Sequence, residues 1–248
     1  MAKKKEKTYK QQLHDKFVKL AAHYDLYSVF SEFCSMAAIS ISNSVSSKIL
    51  FSKDEEKTIQ TRERVYLDLI NKYPPEFKEE FPKIFALLVL EMEEHFGKGY
   101  YKDCLGELFM SLRVYNKNQG QFFTPDSIGR LIGDTFDFGT DYFKSILEEK
   151  GYITMLEPAC GGGALILGAC ESAVKAGLNL EDNVLVYATD LDSRCVAMTY
   201  IQLSLYGIPA IVQQKNALLD DVLDAPFYTP VFKFNVSRGR YLKEPWHC

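Results

Sequence analysis

Apolar side chains recur at helical spacing through the first 115 residues of the chain. One such series shares a single helix face and comprises Phe30, Phe33, Cys34, Ala37, Ala38 and Ile41. Further helices are predicted over 58–73, which stops at two prolines, over 82–96, and from an N-cap at Asp103 to about Val114. No strand-like alternation precedes residue 150. The pattern therefore predicts an N-terminal helical domain over residues 1–115.

A polar segment over 116–123 interrupts this pattern and leads into Thr124-Pro125. Threonine as N-cap followed by proline at the first helical position predicts a helix start at this point. The apolar residues Ile128, Leu131, Ile132 and Phe136 would share one face of that helix. The loop from Asn116 to Thr124 has few apolar anchors, so we expect it to be mobile without a ligand and ordered with one.

Strands and helices alternate from residue 152 onward. Short apolar runs at 152–156, 184–188 and 210–213 predict strands, and 164–176 and 192–206 predict the intervening helices. This order predicts parallel strands joined by helical crossovers. The fold class is thus α/β, with a Rossmann-like parallel sheet in a second domain over residues 116–248.

Polar or glycine residues follow each of these three strands. Glu157 and a Gly161-Gly162-Gly163 run follow the first, Asp190 the second and Asn216 the third. Ligands of doubly wound sheets bind beyond the carboxyl ends of the strands, so these residues are expected to line one crevice. The run lacks the third glycine of a dinucleotide fingerprint, and no phosphate-binding Gly-Lys-Ser/Thr is present.

A glycine turn without phosphate-binding residues suits S-adenosylmethionine, which carries no phosphate. Glycines let the backbone approach its aminoacyl part, an acid such as Asp190 can accept both ribose hydroxyls, and Asn216 can bond the adenine edge. Each residue also has a plainer interpretation. The glycines permit a tight turn, Asp190 or Asp192 caps the next helix, and Asn216 shapes a turn.

Three segments resemble one family closely. They are Gly120-Gln-Phe-Phe-Thr-Pro125, Leu156-Glu-Pro-Ala-Cys-Gly-Gly-Gly-Ala164 and Ala188-Thr-Asp-Leu-Asp192. Together they resemble the modification subunits of type I restriction systems and related N6-adenine DNA methyltransferases, over roughly residues 100–220. The resemblance implies a class I S-adenosylmethionine-dependent methyltransferase fold. It also implies that Phe123, Thr124 and Pro125 cover the cofactor, that Glu157 and Gly161 bound its methionine part, and that Asp190 holds the ribose. We expect Gly163 to contact the cofactor as well.

The family's catalytic tetrapeptide, Asn or Asp followed by two prolines and an aromatic residue, does not occur in the 248 residues. Two segments come near it. Asp224-Ala-Pro-Phe227 lies only eight residues after Asn216, which favours a surface turn, and 231–235 alternates like a strand and ends in Asn235. Catalytic residues therefore stay unassigned, the sheet is expected to be incomplete, and we expect this chain alone to methylate DNA poorly or not at all.

Composition adds few constraints. The chain is 47% hydrophobic, but it contains no continuous run of the roughly 20 apolar residues that span a bilayer. Its first residues do not read as a secretory signal, so we expect a cytoplasmic protein without a membrane partner. Six scattered cysteines and four isolated histidines predict reduced thiols and no metal site. The net charge of −4 does not indicate nucleic-acid binding, although five lysines between Lys3 and Lys10 form a basic tail that is either solvated or contacts phosphate.

The sequence predicts an adenine-N6 DNA methyltransferase or a subunit of one, of the restriction-modification type. DNA is the expected partner, with a specificity or other partner subunit beside it. One alternative is a catalytically silent cofactor-binding relative with a regulatory or anti-restriction role. A second alternative is a methyltransferase that acts on RNA or protein.

Overall fold

A computed structural model describes residues 7–46, 53–113 and 123–241. Its N-terminal part is helical, as predicted. The helices there are α1 (Tyr9–Ala21), α2 (Leu26–Ser46), α3 (Lys53–Ile70), α4 (Pro75–Lys78), α5 (Glu80–Phe96) and α6 (Cys104–Ser111). Asp103 caps α6 as predicted, because its carboxylate accepts a hydrogen bond from Gly106 N at 2.7 Å. The helix ends about three residues earlier than the sequence suggested.

The second part alternates helices and strands. In chain order it contains α7 (Asp126–Gly133), α8 (Asp141–Lys150), β1 (Ile153–Glu157), α9 (Ala164–Lys175), α10 (Leu180–Asn183), β2 (Val184–Asp190), α11 (Ser193–Leu205), β3 (Ala210–Asn216), β4 (Asp221–Val222), β5 (Phe227–Tyr228) and α12 (Pro230–Ser237). The predicted α/β fold with its helical N-terminal part and a small, incomplete sheet is confirmed.

The sheet has the order β1-β2-β3, with β4 and β5 both returning antiparallel along β3. Strands β1, β2 and β3 are parallel, with Glu157 opposite Ala188 and Asp190 opposite Gln214. Their carboxyl ends therefore lie at one edge of the sheet, as the sequence predicted. Within the described ranges no strand pairs with the other side of β1.

Side-chain alternation in the strands buries both faces of the sheet. Val184 and Val186 face the main core, whereas Leu185 on the same strand faces a smaller cluster with Phe232 of α12 and Tyr241. On the first face α11 packs against β2, β3 and the long helix α2. The main core therefore runs from the N-terminal helices into the sheet without a break. The domain boundary between residues 115 and 116 stays a proposal.

Helix α7 packs against α9 through glycines rather than through its apolar side chains. A Cβ on Gly168 would come within 2.2 Å of the Gly129 carbonyl oxygen, and one on Gly133 within 2.3 Å of the Gly168 backbone. The apolar face predicted for this helix stays largely open, with Leu131 64% exposed. Close backbone contact thus fixes the helix that follows the Phe123-Thr124-Pro125 segment.

Two local predictions were wrong. Helix α7 begins at Asp126, and Pro125 rather than Thr124 is its N-cap, because Pro125 is extended (ψ 139°) while its carbonyl accepts from Ile128 N and Gly129 N. The segment 231–235 is not a strand but most of α12, which starts with Pro230 in its first turn after Thr229.

Some predictions fall on residues outside the described ranges. Residues 116–122 of the loop predicted over Asn116 to Thr124 lie there, as do Lys3, Lys4 and Lys5 of the basic tail. Of that tail, Lys7 pairs with Asp15, and Lys10 pairs with Glu107.

No helix in the described ranges combines the length and apolar character needed to cross a bilayer. The same ranges hold no group of three or more His, Cys, Asp or Glu side chains placed to share a metal ion.

Candidate cofactor site

The turn between β1 and α9 is built on glycines that side chains would strain. Gly161 has φ 52° and Gly163 has φ 99°, both in the left-handed region. Gly163 is the N-cap of α9, and its N–H donates to the Cys160 carbonyl at 2.8 Å. The turn therefore brings bare backbone to the carboxyl edge of the sheet, where a ligand can approach it closely.

Asp190 at the end of β2 holds this turn in place. Its Oδ2 accepts a hydrogen bond from Gly161 N at 2.9 Å, and its Oδ1 accepts one from Asp192 N at 2.9 Å. Asp192, not Asp190, is the N-cap of α11, since its carboxylate accepts from Arg194 N at 2.8 Å. The capping interpretation thus applies to Asp192 alone. Asp190 remains half-buried, and each of its oxygens retains a lone pair for a hydroxyl donor.

The segment before α7 lies against the same turn. A Cβ on Gly161 would come within 3.1 Å of the Phe123 ring, so the ring lies close against the backbone of the turn. The ring is fixed from behind by Phe109, edge-on at a centroid distance of 4.7 Å. Thr124 and Pro125 continue into the wall of an adjoining cavity. Phe123 therefore contacts the glycine turn, and Thr124 and Pro125 line the cavity beside it.

Glu157 and Asn216 are engaged locally. Glu157 Oε1 accepts from Ala159 N at 3.0 Å, which shapes the start of the turn. Asn216 Oδ1 accepts from the backbone of Leu218 and Leu219, as the turn interpretation predicted. Its side-chain NH2 is the group left for an adenine edge. The cofactor roles of all eight predicted residues stay predictions.

Two buried residues beneath the turn were not predicted as site residues. Gln202 of α11 donates to the Gly162 carbonyl at 2.6 Å and to Asp103 Oδ1 at 2.8 Å, and it accepts from Leu105 N at 3.0 Å. Asp103 was recognised only as a helix cap. Burial raises its pKa to about 6, although the hydrogen bonds from Gln202 and Gly106 favour the charged form. The sequence signal was weak, because α11 also contains Arg194, Thr199 and Ser204, and Gln202 does not stand out among them.

A cavity of about 630 Å³ opens between α5, α6 and the start of α7. Its wall includes Tyr100, Asp103, Gly106, Phe123, Thr124 and Asp126. This volume falls within the roughly 300–1,000 Å³ of small-molecule sites. Carboxylates on both sides of the glycine turn, Asp103 and Asp190, would repel a phosphate group. The residues present therefore fit a ligand such as S-adenosylmethionine better than a nucleotide phosphate.

The cysteines are not placed for chemistry. The five described ones are buried free thiols, and burial raises the pKa of Cys160, the one in the glycine turn, to about 12. Cys160 is consequently a neutral packing residue at neutral pH.

The two segments that approach the missing tetrapeptide both lie away from β1. Phe227 belongs to β5, on the far side of β3, and the Arg62 guanidinium carbon lies 3.7 Å from the centroid of its ring. Asn235 is buried in α12 and donates to the Glu181 carbonyl at 2.7 Å. Arg62 covers one face of the Phe227 ring, and the centroid of the Tyr200 ring lies 4.8 Å from that of Phe227. Asn235 is only 3% exposed, so neither segment forms an open base pocket here.

Comparisons with known proteins bear on this site. No curated protein shows significant similarity to the chain. The family model described as N-6 DNA Methylase matches residues 101–240, which is more than half of the 248 residues and includes the glycine turn, Asp190, Asn216 and the segment before α7. The chain therefore belongs to the N-6 DNA methylase family.

Proposed function

We propose that the chain binds S-adenosylmethionine at the carboxyl edge of β1 and β2. The Gly161–Gly163 backbone bounds the methionine part together with Glu157, and Asp190 accepts the ribose hydroxyls. Asn216 donates to the adenine, and Phe123, Thr124 and Pro125 cover the bound molecule. When bound, this cofactor supplies a methyl group on a positively charged sulfur.

One observation carries the proposal. The hydrogen bond of 2.9 Å from Gly161 N to Asp190 joins the ends of two parallel strands into a rigid cradle, and the Phe123 ring lies directly against it. Three segments far apart in sequence thus converge on the glycine turn, where Gly161 stays partly exposed. The family match adds that its members methylate DNA adenine.

Titration calorimetry with S-adenosylmethionine tests this assignment. Asp190→Ala removes the hydroxyl acceptor, and charge-assisted hydrogen bonds contribute roughly 1.5–3 kcal/mol each, so affinity should fall at least about tenfold. Asp134→Ala, which alters an exposed carboxylate beyond α7, is the matched control and should bind like the natural protein. Failure of the natural protein to bind, or equal binding by Asp190→Ala, would remove the proposal.

Within this family we further propose action on DNA adenine, as an enzyme or as a subunit of a restriction-modification system that also contains a specificity or partner subunit. The test is transfer of labelled methyl groups to unmethylated DNA of mixed sequence, with and without proteins co-expressed from neighbouring genes. Transfer that needs a co-expressed protein and is lost in Asp190→Ala supports the subunit role. Transfer to RNA or protein but not to DNA would contradict it.

A catalytically silent cofactor-binding protein is the second candidate. The observation that favours it is the Arg62 guanidinium, which covers one face of the Phe227 ring in the segment nearest to the missing tetrapeptide. Normal cofactor binding without methyl transfer, under every combination of partners, would support this candidate. Transfer by the purified protein alone would exclude it.

A further inference from the structure

The carboxylate of Asp103 is buried, and only one of its two oxygens accepts hydrogen bonds from described residues. The residue is 2% exposed, and Oδ1 accepts both of its hydrogen bonds, from Gly106 N at 2.7 Å and from Gln202 Nε2 at 2.8 Å. Among the described residues Oδ2 accepts none. A hydrogen-bond donor stabilises a carboxylate oxygen in a nearly buried residue, and Oδ2 has none among the described residues although Asp103 lines a cavity from which a ligand could donate.

Two glycines make room for that oxygen. A Cβ on Gly106 would lie 2.1 Å from Oδ2, and one on Gly162 would lie 2.5 Å from it. Gly106 belongs to α6, whereas Gly162 belongs to the turn of the proposed cofactor site. Asp103 also lines the 630 Å³ cavity that Phe123 and Thr124 border. The free oxygen is therefore wedged beside the glycine turn, at the cavity wall.

The described cations around the cavity are committed to other carboxylates. Lys102 lies 2.8 Å from Glu107 and 3.5 Å from Glu91, and Arg130 lies 3.3 Å from Asp126. Lys10 pairs with Glu107. Asp103 forms no ion pair with any described residue.

The charges that face Asp103 do not compensate for its burial. Asp126 and Glu107 both disfavour its ionisation, and the neutral Gln202 from α11 supplies a hydrogen bond but no charge. A positively charged ligand group entering the cavity would supply the missing partner.

We propose that Asp103 Oδ2 binds the α-ammonium of the cofactor's methionine part. This assignment rests on the proposed cofactor function and deepens it, since it makes Asp103 a specificity residue for the amino-acid end of the ligand. The ammonium would donate to Oδ2 while the Gly161–Gly163 backbone flanks the same end of the molecule. The ligand class is thus an adenosine thioether or sulfonium that carries a free primary amine.

Titration calorimetry with two compounds tests the proposal. One is S-adenosylhomocysteine. The other is 5′-S-(3-carboxypropyl)-5′-thioadenosine, which lacks only the amine. The natural protein should bind the first at least about tenfold more tightly, as expected for one charge-assisted hydrogen bond. Asp103→Asn keeps the helix cap but removes the charge, so it should bind both compounds alike, near the weaker affinity.

The control and the outcomes separate this proposal from the cofactor assignment. Glu107→Gln alters another carboxylate of the same cavity, one that two lysines already engage, and should keep the preference for the amine. A preference retained in Asp103→Asn, or absent from a natural protein that binds both compounds, overturns the proposal. A natural protein that binds neither compound defeats the cofactor assignment itself.

If the Asp103→Asn variant binds neither compound, a second measurement on the natural protein tests the proposal. Near pH 6, where Asp103 is partly protonated, an incoming ammonium should displace its proton. Binding heats of S-adenosylhomocysteine to the natural protein should then depend on the ionisation enthalpy of the buffer, and those of the deamino compound should not. Equal proton release with both compounds would overturn the proposal.

Discussion

The side chain of Gln202 donates to Asp103 Oδ1 at 2.8 Å, and its second amide hydrogen reaches the Gly162 carbonyl at 2.6 Å. One buried amide thereby connects α11, the cap of α6 and the glycine turn. The N-terminal helices are consequently part of the site rather than a separate attachment, because the carboxylate that they contribute lies against the turn itself.

Removing that amide should destabilise the protein strongly. Gln202→Ala leaves Leu105 N, the Gly162 carbonyl and Asp103 without their buried partner, and each unsatisfied group costs about 1–3 kcal/mol. We expect a loss of roughly 3 kcal/mol or more in the free energy of unfolding, measured with urea. Gln213→Ala is the control, because Gln213 makes one exposed bond of 3.2 Å, and it should cost less than about 1 kcal/mol. Similar losses in both variants would show that the buried network is not important.

The raised pKa of Asp103 predicts a specific dependence of stability on pH. Because the pKa of about 6 in the folded protein exceeds the ordinary aspartate value of 3.8, the folded protein binds the proton more tightly than the unfolded chain. This contribution is fully present below 3.8 and is lost as the pH rises through about 6. A shift of two pKa units corresponds to about 3 kcal/mol.

Urea unfolding of the natural protein and of Asp103→Asn at several pH values measures the contribution of Asp103 to the free energy of unfolding, as the difference between the two proteins. The variant should gain stability relative to the natural protein by up to about 3 kcal/mol between these two pH values, because it has no proton to lose. Effects of the other carboxylates cancel in the comparison. Parallel stability curves would mean that Asp103 ionises normally.

The sequence predicted the glycine turn and its strands well, because apolar runs bounded by glycine leave few alternatives. Strand β1 was placed within one residue of its observed position, and β2 and β3 begin where predicted. Asp103 shows the limit. Its cap of α6 is a local feature that the sequence reveals, whereas its position against Gly162 depends on a contact between residues 59 positions apart in the chain.

The same limit explains the wrong prediction for 231–235. In the segment 231–235 the polar residues Lys233 and Asn235 alternate with phenylalanines, which suggested a strand. The segment is instead helical, because Thr229 and Pro230 start a helix. Phe232 and Asn235, three positions apart, are both buried there, and Lys233 is buried with an ion-pair partner, Glu55. From the sequence alone Lys233 is expected to be exposed, because its ion-pair partner Glu55 lies far away in the chain, on α3.

Helix α7 should be sensitive to a single methyl group on its partner. Gly168→Ala places a Cβ 2.2 Å from the Gly129 carbonyl oxygen. The nearest atoms are all backbone atoms, which cannot rotate away as a side chain could. Overpacking of this kind costs about 1–3 kcal/mol, only partly offset by the higher helix propensity of alanine.

We expect Gly168→Ala to reduce the free energy of unfolding and also to weaken S-adenosylmethionine binding, because a displaced α7 moves Thr124 and Phe123 from the glycine turn. Val174→Ala, at a 38% exposed position of α9, the helix that also contains Gly168, is the control and should leave binding unchanged. Normal binding by Gly168→Ala would show that the segment before α7 does not contribute to the site.

The last prediction concerns Asp224-Ala-Pro-Phe227, the segment nearest in sequence to the missing tetrapeptide. Arg62 of α3 holds it by donating to the carbonyls of Ala225 at 2.8 Å and Pro226 at 3.1 Å, while its guanidinium covers the Phe227 ring. This arrangement is a structural clamp between α3 and β5. Burial lowers the pKa of Arg62, although the Asp224 carboxylate favours the charged guanidinium.

If the segment is a clamp, its variants should change stability and not binding. Arg62→Lys loses the planar fork that reaches both carbonyls and should lower the free energy of unfolding by about 2 kcal/mol, since lysine cannot reproduce that geometry. Arg64→Lys, exposed on the same helix, should have no effect.

Asp224→Ala should bind S-adenosylmethionine like the natural protein, because Asp224 lies beyond β3, two strands away from the glycine turn. Methyl transfer, in whichever assembly supports it, should likewise survive Asp224→Ala. Loss of transfer with cofactor binding intact would instead identify Asp224 as a group that contacts the target base, and the clamp interpretation would be wrong.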